Sequence, residues 1–97
     1  MNLHEDAKKI IEHVVKIFNY PFTFVCLIKP QFELTKAILD QCKGSIPPKY
    51  HKQAITSVCN YAKQLGLATS EVIESPILGA KSNNKEFLVC LKRSQYA

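Results

Sequence analysis

The segment Phe22-Thr23-Phe24-Val25-Cys26-Leu27-Ile28 constrains the fold more than any other part of the chain. It holds no charge and no proline until Lys29-Pro30 ends it. A short continuous apolar run rich in β-branched and aromatic residues predicts a strand buried on both faces, as in a parallel sheet covered by helices. Lys29 then stands at the carboxyl edge of that strand, where open α/β sheets place their ligand sites.

The flanking segments supply helices. In Glu5–Phe18, residues Ala7, Ile10, Ile11, Val14, Ile17 and Phe18 recur at helical spacing. Asn19-Tyr20-Pro21 ends that helix, because proline disfavours the helical state in the residue before it. A short helix is expected over Glu33–Cys42, with Leu34, Ala37, Ile38 and Cys42 on one side. Pro47-Pro48 suits the first turn of a longer helix running to about Leu65. Its expected core stripe is Ala54, Ile55, Val58, Cys59, Ala62 and Leu65, with Gly66 as the C-cap. Ala68–Glu74 and Glu86–Lys92 read as two further strands joined by a polar, turn-forming loop. The fold class is therefore α/β.

Composition narrows the function. A chain of 97 residues is expected to form a single domain, residues 1–97. Its three glycines leave no room for a glycine-rich nucleotide cradle. The formal net charge of +5 favours an anionic partner such as nucleic acid, although the cations are spread rather than clustered. Cys26, Cys42, Cys59 and Cys90 include no Cys-x-x-Cys pair, so buried free thiols are expected and no metal site. The polar start, Met1-Asn2-Leu3-His4-Glu5-Asp6, is unlike a signal peptide, and no apolar run is long enough for a bilayer. A cytoplasmic location and no membrane partner are expected.

Two segments carry a resemblance. They are Leu27-Ile28-Lys29-Pro30-Gln31-Phe32-Glu33, and Ser75-Pro76-Ile77-Leu78-Gly79 followed by Asn84-Lys85-Glu86-Phe87-Leu88. Together they resemble the TlyA type, or haemolysin A family, of FtsJ-like RNA methyltransferases. Gly44-Ser45-Ile46 with His51 is similar to that family's linker into the long helix, and Leu65-Gly66-Leu67 to the helix end. The likeness covers roughly Phe22–Arg93. The loop before Glu86 is one residue longer than the family pattern, so either Asn83 or Asn84 takes the asparagine position.

The resemblance implies S-adenosylmethionine-dependent 2′-O-ribose methylation of ribosomal RNA. Such enzymes use a Lys-Asp-Lys-Glu tetrad. Lys29 matches its second lysine and Glu86 its glutamate. The other two members, the cofactor's glycine loop and the S4-like RNA-binding domain have no counterpart in the sequence. The implied fold is thus a partial Rossmann-like methyltransferase sheet: its C-terminal three strands with flanking helices, the last strand antiparallel in the middle. Phe87–Leu91 would lie between Thr23–Ile28 and Thr69–Glu74. The chain alone is expected neither to bind S-adenosylmethionine nor to turn over. The open edge of Thr23–Ile28 invites self-association or pairing with an N-terminal half.

The chemistry independently asks for such residues. A ribose 2′-hydroxyl is a poor nucleophile at neutral pH, so its proton must be removed or strongly polarised. A lysine acts as general base when burial or a neighbouring cation lowers its pKa. Glu86 would orient Lys29 or bond the ribose. The alternative is a small basic RNA-binding or protein-interaction module, in which Lys49, Lys52, Lys81, Lys85 and Arg93 contact phosphates. Membrane lysis would fall to Glu5–Phe18, whose stripe reads instead as helix-on-sheet packing.

Overall fold

The computed structural model describes residues 6–43, 45–76 and 85–94. Helix α1 spans Ala7–Ile17. It starts where the Asp6 carboxylate accepts the Lys9 N–H at 3.0 Å, satisfying one of the otherwise unpaired first-turn donors. Lys16 and Glu12, one turn apart, form a 2.9 Å ion pair on its exposed side. Strand β1 is Phe22–Ile28.

The expected helix over Glu33–Cys42 is two pieces. Proline at the first helical position starts α2, Pro30–Glu33. Leu34 and Thr35 are extended, and the Thr35 hydroxyl accepts the Ile38 N–H at 3.3 Å, opening α3, Lys36–Cys42. The capping preference of threonine thus breaks the pattern that the apolar spacing suggested. No residue of α3 is buried.

The long helix α4 spans Pro48–Gln64. It buries His51, Ala54, Val58 and Ala62. Gly66 follows at φ +84°, the left-handed conformation that glycine adopts without cost. Its N–H reaches the Lys63 carbonyl, and the Leu67 N–H reaches that of Ala62.

Three strand segments follow: β2 Ala68–Thr69, β3 Ile73–Glu74 and β4 Phe87–Arg93. β4 lies between β1 and β2 and is antiparallel to all its neighbours. The expected strand Ala68–Glu74 is therefore split. Thr69 opposes Leu91 and Ile73 opposes Leu88, so one extra residue is accommodated on the edge strand, as in a β-bulge. The Ser70 hydroxyl fills the gap by accepting the Cys90 N–H at 2.9 Å.

Helices α1 and α4 cover one face of this sheet. The core joins Ala7 and Ile11 to Cys26, Ile28, Val58, Ala62, Leu67, Phe87, Val89 and Leu91. Each large side chain removed from water here stabilises the fold by roughly 1.5–3 kcal/mol. The other face of β1 is open, contrary to the expectation of burial on both: Val25 is 65% exposed and Leu27 39%. The four cysteines are free, and only Cys26 is fully buried. Among the described residues no helix is long and apolar enough to cross a membrane.

Candidate functional site

Pairing of β1 with β4 sets Ile28 opposite Phe87. Lys29, the next residue along β1, and Glu86, the residue before Phe87, therefore meet at one end of the sheet. Glu74 of β3 also opposes Phe87, and the Glu86 carbonyl accepts the Ser75 N–H at 2.7 Å. Residues far apart in the chain are thus aligned on three adjoining strand ends.

Local chemistry fixes Lys29. Its carbonyl accepts the Phe32 N–H at 2.8 Å as the backbone turns from β1 into α2. Pro30 is fully buried beneath that turn. The Lys29 ammonium lies 5.6 Å from the Phe32 ring centroid, a contact worth about 0.5–1 kcal/mol where water reaches it. No ion pair joins Lys29 to Glu86 among the described residues.

The glutamate at the end of the same segment ties this turn to α1. Glu33 accepts the Ala7 N–H at 2.7 Å, one of the orphan donors of that helix start. Burial pushes the Glu33 carboxyl above the usual carboxylate range, against the lowering effect of that hydrogen bond. Burial also pushes the nearby Cys26 thiol up to about 11.

Where α4 packs on β4, the His51 ring lies 5.4 Å from that of Phe87. His51 is nine-tenths buried, and its Nε2 has no hydrogen-bond partner; neither has the buried Gln31 Oε1. Both residues fall inside segments singled out from the sequence, but nothing in the sequence showed that these polar atoms are buried without a partner.

The suggested RNA-contacting cations separate. Lys49 and Lys52 lie in the first turns of α4, beside His51 and so toward the Lys29 end. Lys49 sits 4.9 Å from the Tyr50 ring centroid. Lys85 is at the same end, 3.4 Å from the Glu74 carboxylate. Arg93 is at the opposite end, paired with Phe22. It donates to the Phe18 carbonyl at 2.6 Å and to that of Val15 at 3.2 Å, with its guanidinium over the Phe22 ring. Lys81, Asn83 and Asn84 lie outside the described residues.

Gly66 serves as a helix cap and has open space where a Cβ would stand; Gly44 and Gly79 lie outside the described residues.

The fold is an α/β sheet with its last strand antiparallel in the middle. The FtsJ-like methyltransferase family model matches residues 4–93. A candidate hemolysin from Lactococcus lactis has a similar structure, with a TM-score of 0.82 at 32% identity over 95% of this chain and 43% of that one. A candidate hemolysin from Streptococcus thermophilus gives 0.83 at 25% identity over 97% of this chain and 34% of that one. No curated protein matches the chain. The chain belongs to the FtsJ-like methyltransferase family, and its structural neighbours carry the hemolysin name that the TlyA-type resemblance implied. It spans less than half the length of either neighbour.

Proposed function

We propose that this chain is the base-supplying, C-terminal portion of an S-adenosylmethionine-dependent methyltransferase acting on the ribose 2′-hydroxyl of ribosomal RNA. On this reading residues 1–97 form one unit, part of a Rossmann-like sheet in the cytoplasm. The observation that carries it is the Ile28–Phe87 pairing, which brings Lys29 and Glu86 to adjoining strand ends. A neutral Lys29 Nζ would accept the proton of the 2′-hydroxyl, and Glu86 would orient Lys29 or hydrogen-bond the ribose. The methyl donor would sit on the complementary part of the domain, since Gly66, a described glycine, serves as a helix cap. Catalysis then requires a complementary half, whose strand would pair along the free edge of β1.

The test is methyl transfer to ribosomal RNA by this chain assembled with the complementary part of the Lactococcus lactis protein. The product is located at a ribose or a base by mass spectrometry. Ribose methylation that falls about 10²–10⁴-fold in Lys29→Ala is expected. A Lys29→Ala assembly within a few-fold of the unaltered one would overturn the assignment. Calorimetry should show no micromolar S-adenosylmethionine binding by the chain alone.

A second reading rests on Lys49, Lys52 and Lys85 lying toward the same end as Lys29. There the chain would act as a non-enzymatic RNA-binding module. Its affinity for RNA should then fall steeply between 50 and 200 mM salt, by about 10-fold or more for a few phosphate contacts. Salt-insensitive or undetectable binding counts against it.

A further inference from the structure

Three of the five phenylalanines and one of the four tyrosines fall within Phe18–Phe24, where α1 hands the chain to β1. Their rings run in series. Between centroids, Phe18 lies 5.6 Å from Tyr20, edge to face, and 6.2 Å from Phe22, and Phe22 lies 5.9 Å from Phe24. Phe22 and Phe24 pack against the core. The other two rings reach water: Tyr20 is 50% exposed and Phe18 37%. A cleft of about 280 Å³ opens along the series, lined by Val14, Phe18, Tyr20, Phe22, Thr23 and Phe24. A second cleft, of about 390 Å³, shares Phe22 and Thr23 with the first and adds Lys92, Arg93 and Ser94. Among the described residues no carboxylate lines either cleft. Register sets Lys92 opposite Thr23 and Arg93 opposite Phe22, so both cations come from the end of β4. Arg93 is held by the Phe18 and Val15 carbonyls with its guanidinium over the Phe22 ring. A guanidinium has five N–H donors and cannot lose its charge, so this clamp also fixes a positive charge where the two clefts join.

We propose that the joined clefts form a subsite for single-stranded RNA, one base stacking against Tyr20 and Phe18 and the adjoining phosphate resting on Lys92 and Arg93. Aromatic rings beside cations suit a single strand of any sequence, because every base has a π-face and every link a negative charge. A protein segment fits less well. An apolar side chain could fill the aromatic cleft, but it would gain nothing from Lys92 and Arg93, whereas a nucleotide uses both clefts. The net charge of +5 favours the same sign of partner. The subsite is separate from the strand ends that carry Lys29 and Glu86. β1 is seven residues long, so at about 3.3 Å per residue the clefts lie roughly 20 Å from Lys29. A strand anchored here would have to run the length of β1 to reach that end. The inference does not rest on methyl transfer, and Lys49, Lys52 and Lys85 take no part in it.

The test is titration of the whole 97-residue chain with a short oligoadenylate RNA, followed by amide NMR and tyrosine fluorescence. Shifts should concentrate at Tyr20, Phe22, Thr23, Lys92 and Arg93. Tyr20→Ala should weaken binding roughly 10-fold, the loss of one stacked base. Tyr20→Phe keeps the ring and should bind within about 2-fold of the unaltered chain. Lys92→Ala should reduce the salt dependence by about one phosphate contact. Tyr20 and Lys92 are both exposed, so neither alanine variant should lower the melting temperature. Undetectable binding, shifts confined to the Lys29 end, or a Tyr20→Ala chain that binds as the unaltered one would each overturn the proposal. So would Tyr20→Phe as weak as Tyr20→Ala, or inorganic polyphosphate binding as tightly as the RNA. The same shifts appearing on concentration without RNA would assign the clefts to a second copy instead, and overturn it too. Methyl transfer is not read, so the subsite stands or falls separately from the proposed function.

Discussion

The two ends of the β1–β4 pair each carry a cation and treat it differently. At one end Arg93 is spent on the fold, donating to the Val15 and Phe18 carbonyls and stacking on Phe22. These bonds hold the last turn of α1, where carbonyls otherwise lack partners. At the other end Lys29 makes a ring contact with Phe32 and no ion pair with the adjacent Glu86. One cation is bound to main chain, whereas the other has a ring contact and no ion pair among the described residues. A general base needs the second arrangement, and a structural clamp the first.

Substitutions sharpen that contrast. Arg93→Ala should cost about 2 kcal/mol in urea unfolding, because two charge-assisted hydrogen bonds and the packing on Phe22 go together. Lys29→Ala should change stability by less than about 0.5 kcal/mol. If Lys29→Ala proved as destabilising as Arg93→Ala, the two ends would not differ as described.

Glu33 gives a smaller effect with a definite sign. Glu33→Ala should lose about 1 kcal/mol by leaving the Ala7 N–H uncapped. Burial raises the carboxyl of Glu33 above its unfolded value, so the folded state holds that proton more tightly. Its contribution is fully present below the unfolded carboxylate range and is lost as pH rises through the raised folded value. Unfolding free energies of the unaltered chain minus those of Glu33→Gln should therefore decline with rising pH across that window. A rising difference would refute the assignment. Glu12, lowered by Lys16, has the opposite slope but cancels in this subtraction.

Thiol reactivity provides the mildest comparison. Burial raises the Cys26 thiol to about 11 and raises Cys59 as well. Near pH 8 both should react with a disulfide reagent more slowly than Cys42 and Cys90, with Cys26 slowest. Equal rates at all four positions would indicate a more open core than the structure shows.

Much of the architecture was legible in the residues. The strand at Phe22–Ile28, the α4 stripe and the Gly66 helix end each read correctly, because each is a local pattern. So was the strand order, which came with the resemblance carried by Leu27–Glu33 and the segment around Glu86. The split at Leu34-Thr35 was missed because a threonine cap competes locally with apolar spacing. The bare sheet face was missed for a different reason. Val25 and Leu27 are as apolar as Cys26 and Ile28, and composition cannot show which face finds a partner. The roles of Glu33 and Arg93 were equally hidden, since their partners lie 26 and 75 residues away. Lys29 and Glu86 were nameable as a pair. Their meeting at adjoining strand ends needed the register.

A double-mutant cycle on Lys29 and Glu86, read as ribose methylation by the assembled enzyme, tests the central claim most directly. If Glu86 acts through or with Lys29, Glu86→Gln should cost much less once Lys29 is already alanine, giving a coupling of about 1 kcal/mol or more. Costs that add within about 0.3 kcal/mol would mean that the two strand-end residues do not work as a unit.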